Sequence, residues 1–307
     1  MEFLKFLEGI RNPFLDGFFS IVTRFGEETL FIIIGILFLW CINKKQGYYL
    51  FFVGFSGLLI NQFLKFTFRV PRPWVKEPSL SVVESAREMA YGYSFPSGHT
   101  QISVGLYGGM ARIFKNKALR YISVILVVLI PFSRMYLGVH TPLDVITSVV
   151  IALLLVFLFY PTISNDFENP KKINTLFAIC FVVSVLYLLY ILFYVSKLNI
   201  DIEELTKGIA DAYKICGCLI GLWLSYNIDM KYLNYKTDAP IYGQIIKFSV
   251  GLIFVLLIKE FLKEPLLNLF KGNQIAGAVR YFAIVFFSAT LWPMTFKMYK
   301  KKNRLSQ

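Results

Sequence analysis

Histidine is almost absent from this chain of 307 residues, which has only His99 and His140. Cysteine is scarce too. Cys41, Cys180, Cys216 and Cys218 all lie in apolar stretches, and none has zinc-site spacing with a histidine nearby. They read as small buried apolar residues and carry no information about redox compartment. No cluster of metal-ligand residues stands out, so no metal or other cofactor is expected. There is no internal repeat and no low-complexity tract. Residues 1–26 carry charges throughout an amphipathic pattern, which does not read as a cleavable signal peptide. The first span is therefore expected to direct the chain to the membrane.

Apolar residues are abundant, at 56% with a mean hydropathy of +0.60, against about 45–50% in soluble domains. The excess falls in long runs such as 121–130 and 177–195. Runs in soluble cores rarely exceed about 14 residues, and a bilayer needs about 20. The composition thus specifies a polytopic helical membrane protein. The net charge of +13 does not indicate nucleic acid here. Lysines gather in short loops and at 300–302, as on the cytoplasmic side of membrane proteins, where they also suit anionic headgroups.

Nine spans are expected, near 27–42, 48–66, 98–114, 120–137, 142–160, 174–195, 208–226, 244–262 and 277–298. Loops with Lys44 and Lys45, with Lys115, Lys117 and Arg120, with Lys171 and Lys172, and with Lys231 and Lys236 share one side with the basic C-terminus. The positive-inside rule makes that side cytoplasmic and leaves the N-terminus outside. Residues 1–26, with Asp16 and Arg24 interrupting an apolar face, read as an interfacial amphipathic segment. The loop 69–96 is rich in proline at both ends. Its middle suits a short surface helix, and long ordered loops of this kind often act as lids.

Both histidines sit at outer span ends inside charged clusters, where ionisable groups are costly and tend to be functional. In Ser133-Arg134-x5-His140-x3-Asp144, Thr141-Pro142 opens a helix, and the spacing puts His140 and Asp144 on one face. A carboxylate on Nδ1–H fixes the tautomer and leaves Nε2 as a nucleophile. The alternative is an acidic residue that merely complements the helix dipole. In Pro96-Ser97-Gly98-His99, Ser97 suits an N-cap and Gly98 permits close approach of backbone to a ligand. The helix N-terminus offers an anion site, and His99 could protonate a leaving alkoxide. A plain capping turn is the competing reading. In Lys65-x6-Arg72-Pro73, Arg72 can fork onto two phosphate oxygens and Lys65 supplies a point charge. Snorkelling is the competing reading there, and it is adopted for Arg69.

Taken together, the three clusters resemble the full signature of the type 2 phosphatidic acid phosphatase (PAP2) superfamily in order and internal spacing. The resemblance implies an all-α fold with a six-helix core over 1–195, followed by three additional transmembrane helices over 196–307. It implies His140 as nucleophile, Asp144 as its partner and His99 as acid. Lys65, Arg72, Ser97, Gly98 and Arg134 would bind phosphate, and no metal would be required. The nine-span layout is similar to that of the glucose-6-phosphatase branch.

The expected function is a phosphatase for a phosphorylated lipid such as phosphatidate, phosphatidylglycerophosphate or a polyprenyl diphosphate, acting on the outer face of what composition suggests is a bacterial membrane. Membrane lipids are the expected surroundings, with no nucleic-acid partner. A sugar-phosphate phosphatase, a phosphate or headgroup transferase, and a transporter or flippase are the alternatives. In the C-terminal third, Gly217-x3-Gly221 offers a small face for helix packing. Asp211, Lys214, Glu260 and Arg280 are expected to pair rather than to line the site.

Overall fold

The structure, a computed structural model, describes residues 1–88 and 90–296. The lysine cluster at 300–302 and the end of the ninth expected span lie outside the described residues. Every regular element among them is helical.

Two short helices, α1 (Glu2–Gly9) and α2 (Pro13–Arg24), precede α3 (Glu28–Leu37), which runs into a π turn at Phe38–Ile42. Then come α4 (Lys44–Phe68), the single turns α5 (Pro73–Lys76) and α6 (Glu84–Arg87), α7 (Gly98–Ile113), α8 (Lys117–Tyr136), α9 (Pro142–Asp166) and α10 (Pro170–Phe193). The chain continues through α11 (Ile202–Ile228), α12 (Ile241–Phe261), α13 (Lys263–Leu269), α14 (Ile275–Phe286) and α15 (Trp292–Met294). Polar caps start many of these helices, because the first N–H groups lack internal partners. Asn12, Asn116 and Asn169 accept from Leu15 N, Leu119 N and Lys172 N, and Asp201 accepts from Glu203 N and Glu204 N.

Seven helical stretches among the described residues are long and apolar enough to cross a membrane. The other two expected spans are shorter. The stretch at 27–42 is α3 with its π turn, bent by 48° from α2, and it qualifies only together with α2. The stretch at 98–114 is α7, 16 residues long, whose Thr100, Gln101 and Ser103 are buried in protein. It is a core helix in which polar side chains replace the apolar surface that lipid contact would demand.

Chain contacts divide the protein into two compact units, Met1–Ile32 with Tyr49–Tyr160 and Ile33–Tyr48 with Pro161–Gln307. In the first, small residues along α7 bring α4 close. A Cβ on Gly105 would stand 3.1 Å from Val53, and one on Gly109 would stand 2.8 Å from Leu50. The residues expected to lie at the interface pack by one side. Leu4 and Leu7 bury against Leu80, while Phe19 packs among Ala86, Tyr136, Leu137 and Val139. Phe6, Phe14 and Ile21 stay exposed, so the two helices present one apolar side to the protein and further apolar side chains away from it.

In the second unit, Gly217 and Gly221 face α14. A Cβ on Gly217 would lie 2.1 Å from Ala278 O, so the small-residue face does set a close helix contact. Trp40 Nε1 donates to Ser288 O at 2.6 Å. Ser288 lies in the π turn Phe287–Leu291, where its i+5 partner would be Pro293, which has no N–H to give. The buried Asp229 accepts from Lys44 Nζ at 2.6 Å. Asp211 pairs with Lys214 at 2.8 Å, as expected.

Candidate active site

The geometry begins at the end of α8. Gly138 has φ +81°, and a Cβ there would meet Ser81 O at 3.1 Å, so both conformation and space call for glycine. The reversal lets Val139 N and His140 N donate to Arg134 O at 3.1 and 3.2 Å, which folds His140 back beneath Arg134. Pro142 then opens α9, and Thr141 and Asp144 cap each other. Thr141 N donates to Asp144 Oδ2 at 2.8 Å, and Asp144 N donates to Thr141 Oγ1 at 3.3 Å. The carboxylate expected either to cap the helix or to face the imidazole does both, since Oδ2 also lies 3.5 Å from His140 Nδ1.

Arg72, at the mouth of α5, is held by carbonyls of the loop before α7. Its Nε donates to Gly92 O at 2.9 Å, Nη2 to Tyr91 O at 2.6 Å and Nη1 to Val139 O at 3.1 Å. Nη1 also lies 2.9 Å from His140 Nε2. A guanidinium nitrogen can only donate, so Nε2 must present its lone pair and Nδ1 carries the proton. Lys65 Nζ donates to Tyr93 O of the same loop. The 69–96 loop thus holds two cations of the site, a larger role than that of a solvated connector. Val83 N donates to Leu137 O, tying the loop to the His140 turn as well.

Ser97 caps α7, its Oγ accepting from Thr100 N at 3.5 Å, while Ser97 N donates to Asp144 O at 3.1 Å. A Cβ on Gly98 would meet nothing in the protein closer than Asn61 Oδ1 at 3.8 Å. The space that this glycine spares lies towards whatever binds the helix start. His99 Nε2 is buried without a hydrogen-bond partner, as is Arg134 Nε. Buried polar atoms normally have partners. Two such atoms, both able to donate, beside a helix N-terminus and two further cations, fit an oxyanion ligand.

Burial, then the charges of Arg72, Arg134 and Lys65 and the nearby His99, hold the His140 imidazole well below its ordinary pKa. Asp144 pulls the other way, but its Oδ2 is already shared with two other donors. The imidazole is therefore neutral near pH 7, with its lone pair on Nε2.

All eight residues singled out from the sequence lie in the first compact unit; the contacts above tie Arg72, Arg134 and Asp144 to His140 and Ser97 to Asp144, while Lys65 and His99 lie near enough to His140 to act on it electrostatically. Two buried residues that sequence reasoning passed over belong with them. Thr23 Oγ1 of α2 accepts from Arg134 Nη1 at 2.8 Å. Ser94 Oγ donates to Asp144 Oδ2 at 2.6 Å and lies 3.4 Å from His140 Nδ1. Neither stands in a motif with those partners, which are 111 and 50 residues away along the chain.

The PAP2 superfamily matches residues 45–168, and a transmembrane extension of PAP2 superfamily phosphatases matches 213–304. Undecaprenyl-diphosphatase BcrC of Bacillus subtilis is 29% identical over 165 residues, covering 52% of this chain and 81% of that protein. Lipid A 4'-phosphatase of Porphyromonas gingivalis is 32% identical over 158 residues, covering 48% and 66%. Sphingosine-1-phosphate phosphatase 2 of Homo sapiens is 24% identical over 275 residues, covering 83% and 66%. The chain thus spans just under two thirds of the length of the last two.

Proposed function

Because this chain belongs to the PAP2 superfamily, with that superfamily's transmembrane extension behind the matched stretch, we propose that it is a multi-pass membrane phosphatase that hydrolyses a lipid phosphate ester or diphosphate through a phosphohistidine on His140. The observation that carries this reading is the arrangement of His140, with Nε2 held as a lone pair by Arg72 and Nδ1–H facing Asp144 and Ser94. The names of the relatives, all phosphatases or diphosphatases of lipids, support the substrate class.

In the reaction, substrate phosphate enters among Lys65, Arg72, Arg134 and the N-terminus of α7 at Ser97 and Gly98. Its charge draws Arg72 from Nε2 onto a phosphate oxygen. With His99 in its imidazolium form beside the bound phosphate, the His140 Nε2 lone pair forms the N–P bond as the P–O bond to the leaving group breaks, and the departing oxygen takes the His99 Nε2 proton, which leaves His99 neutral. The cations and helix N–H groups hold the equatorial oxygens, where charge is spread in the transition state. Asp144 balances the imidazolium. Water then attacks phosphorus and gives its proton to His99, the N–P bond breaks, and phosphate leaves with His140 neutral again.

Residues 1–195 form the catalytic core and 196–307 the extension in this reading, with one family match centred in each. The basic loops at Lys44 and Lys45, at Lys115 and Lys117 and at Lys171 and Lys172 support an active site facing away from the cytoplasm, periplasmic in a bacterium, with the C-terminus inside.

The test is phosphate release by detergent-purified protein in EDTA, from phosphatidate, phosphatidylglycerophosphate, undecaprenyl diphosphate, sphingosine 1-phosphate and glucose 6-phosphate. His140→Ala is expected to fall below about a thousandth of the wild-type rate. Activity that persists in this variant would remove the phosphohistidine, and preference for glucose 6-phosphate would remove the lipid.

A further inference from the structure

Ser94 lies just before the Pro96–His99 segment and takes no step in the reaction described above. It is fully buried. Its backbone N–H donates to Val70 O at 2.7 Å, which anchors it between Lys65 and Arg72. Its hydroxyl sits at the junction of the two groups behind the nucleophile, 2.6 Å from Asp144 Oδ2 and 3.4 Å from His140 Nδ1.

The direction of each bond follows from donor bookkeeping. Arg72 occupies the Nε2 lone pair, so the imidazole proton is on Nδ1 and Ser94 Oγ can only accept from it. The single hydroxyl proton then goes to the carboxylate, which can only accept. Nδ1–H therefore points between two acceptors, Ser94 Oγ at 3.4 Å and Asp144 Oδ2 at 3.5 Å. Asp144 Oδ2 in turn takes Ser94 Oγ–H and Thr141 N–H. We propose that Ser94 is a positioning residue for the nucleophile: its hydroxyl bridges Asp144 to His140, so that Asp144 meets the imidazole through two routes and the Nδ1–H tautomer is held when Arg72 swings onto phosphate.

That moment is when the bridge matters. While Arg72 sits on Nε2 the tautomer is fixed from the front. Once phosphate draws Arg72 away, only Ser94 and Asp144 hold the proton on Nδ1. When the N–P bond forms, the imidazole becomes cationic, and Nδ1–H strengthens its bonds to the same pair. The hydroxyl touches neither phosphorus nor its oxygens in this scheme, so its loss should act on turnover rather than on phosphate binding.

The proposal rests on the phosphohistidine reading, and the experiment separates the two. Ser94→Ala and Ser94→Cys are compared with wild type and His140→Ala on the best-hydrolysed member of the panel above, with orthovanadate as a competitive phosphate mimic. A hydrogen bond to a charged group supports a loss in kcat of about ten- to a hundredfold in both Ser94 variants, with KM and the vanadate inhibition constant unchanged. Asp144, deprived of a donor, holds the imidazolium more tightly, so the acid limb of kcat/KM should move to higher pH. Cysteine, with nearly the volume of serine but a weak donor, should behave like alanine. Wild-type kcat and an unmoved acid limb in either variant would overturn the role of Ser94 while leaving that of His140 intact. A parallel loss of kcat, vanadate affinity and thermal midpoint would reduce Ser94 to a packing residue and also overturn it. Full activity in His140→Ala, or no release from any substrate by wild type, would sink the mechanism itself and Ser94 with it.

Discussion

In the proposed mechanism His99 and His140 divide the chemistry, and their surroundings say how each will fail when altered. His99 Nε2 has no protein partner, consistent with a proton offered to the substrate. General acid catalysis contributes about 10²–10⁴-fold, so His99→Ala should lose that much on alkyl phosphates. It should lose far less on p-nitrophenyl phosphate, whose leaving group departs without a proton, and comparing kcat for the two esters checks this. His140 must be neutral to attack, and its pKa is depressed by burial and by neighbouring cations. The acid limb of kcat/KM should therefore lie below the ordinary histidine value of about 6.5, with activity lost as pH falls through the depressed pKa. Lys65→Met removes one of those cations, so the limb should shift upward along with a higher KM. The motif residues could be read from sequence because the spacing between His140 and Asp144 is local and helical. Ser94 could not, since the loop that brings it to Asp144 follows no periodic pattern.

At the scale of elements, α2 does more than rest on a surface. Thr23 accepts from Arg134, Asp16 Oδ1 accepts from Tyr136 Oη at 2.9 Å, and Arg11 Nε donates to Tyr136 O at 2.9 Å. Ser81 N donates to Glu8 Oε1 at 2.8 Å. Thr23→Val would leave a buried guanidinium N–H unpaired, at a cost of about 1–3 kcal/mol. The vanadate inhibition constant should rise severalfold, measured against a Thr23→Ser variant that keeps the oxygen. The amphipathic character of α1 and α2 was plain from sequence, but which side chains turn inward depends on α8 and the 80–86 loop, whose positions no local pattern encodes. The same holds for α7: the sequence marked the segment, while the burial of its Thr100, Gln101 and Ser103 depends on the helices around it. The π turns at Phe38–Ile42 and Phe287–Leu291 left no mark in the sequence beyond Pro293.

Across the whole molecule, hydropathy reported the membrane class directly, because bilayer thickness acts on composition, and seven of the nine expected spans are helices long and apolar enough to cross among the described residues. How the chain divides into units did not follow from them, since 33–48 groups with the C-terminal part through contacts remote in sequence. A lesion confined to the second unit should therefore lower stability before chemistry. Gly217→Val places side-chain atoms where Ala278 O stands 2.1 Å from a Cβ. It should lower the thermal midpoint in detergent by several degrees while the folded fraction keeps its KM. Sidedness has its own check. A cysteine at Ser79 should react with a membrane-impermeant maleimide in intact cells, and one at Lys117 should react only after permeabilisation.

The ties between the N-terminal helices and the His140 turn also set an order of events during synthesis. Residues 2–24 leave the ribosome before residues 80–139, yet Leu4, Leu7, Phe19 and Thr23 bury against residues 80–86 and 132–139. Until α8 has been made, the apolar side of that segment lacks its partners in the fold. The residues proposed to bind phosphate are therefore made in pieces, and they can meet only once the turn at Gly138 has brought His140 to segments translated well before it.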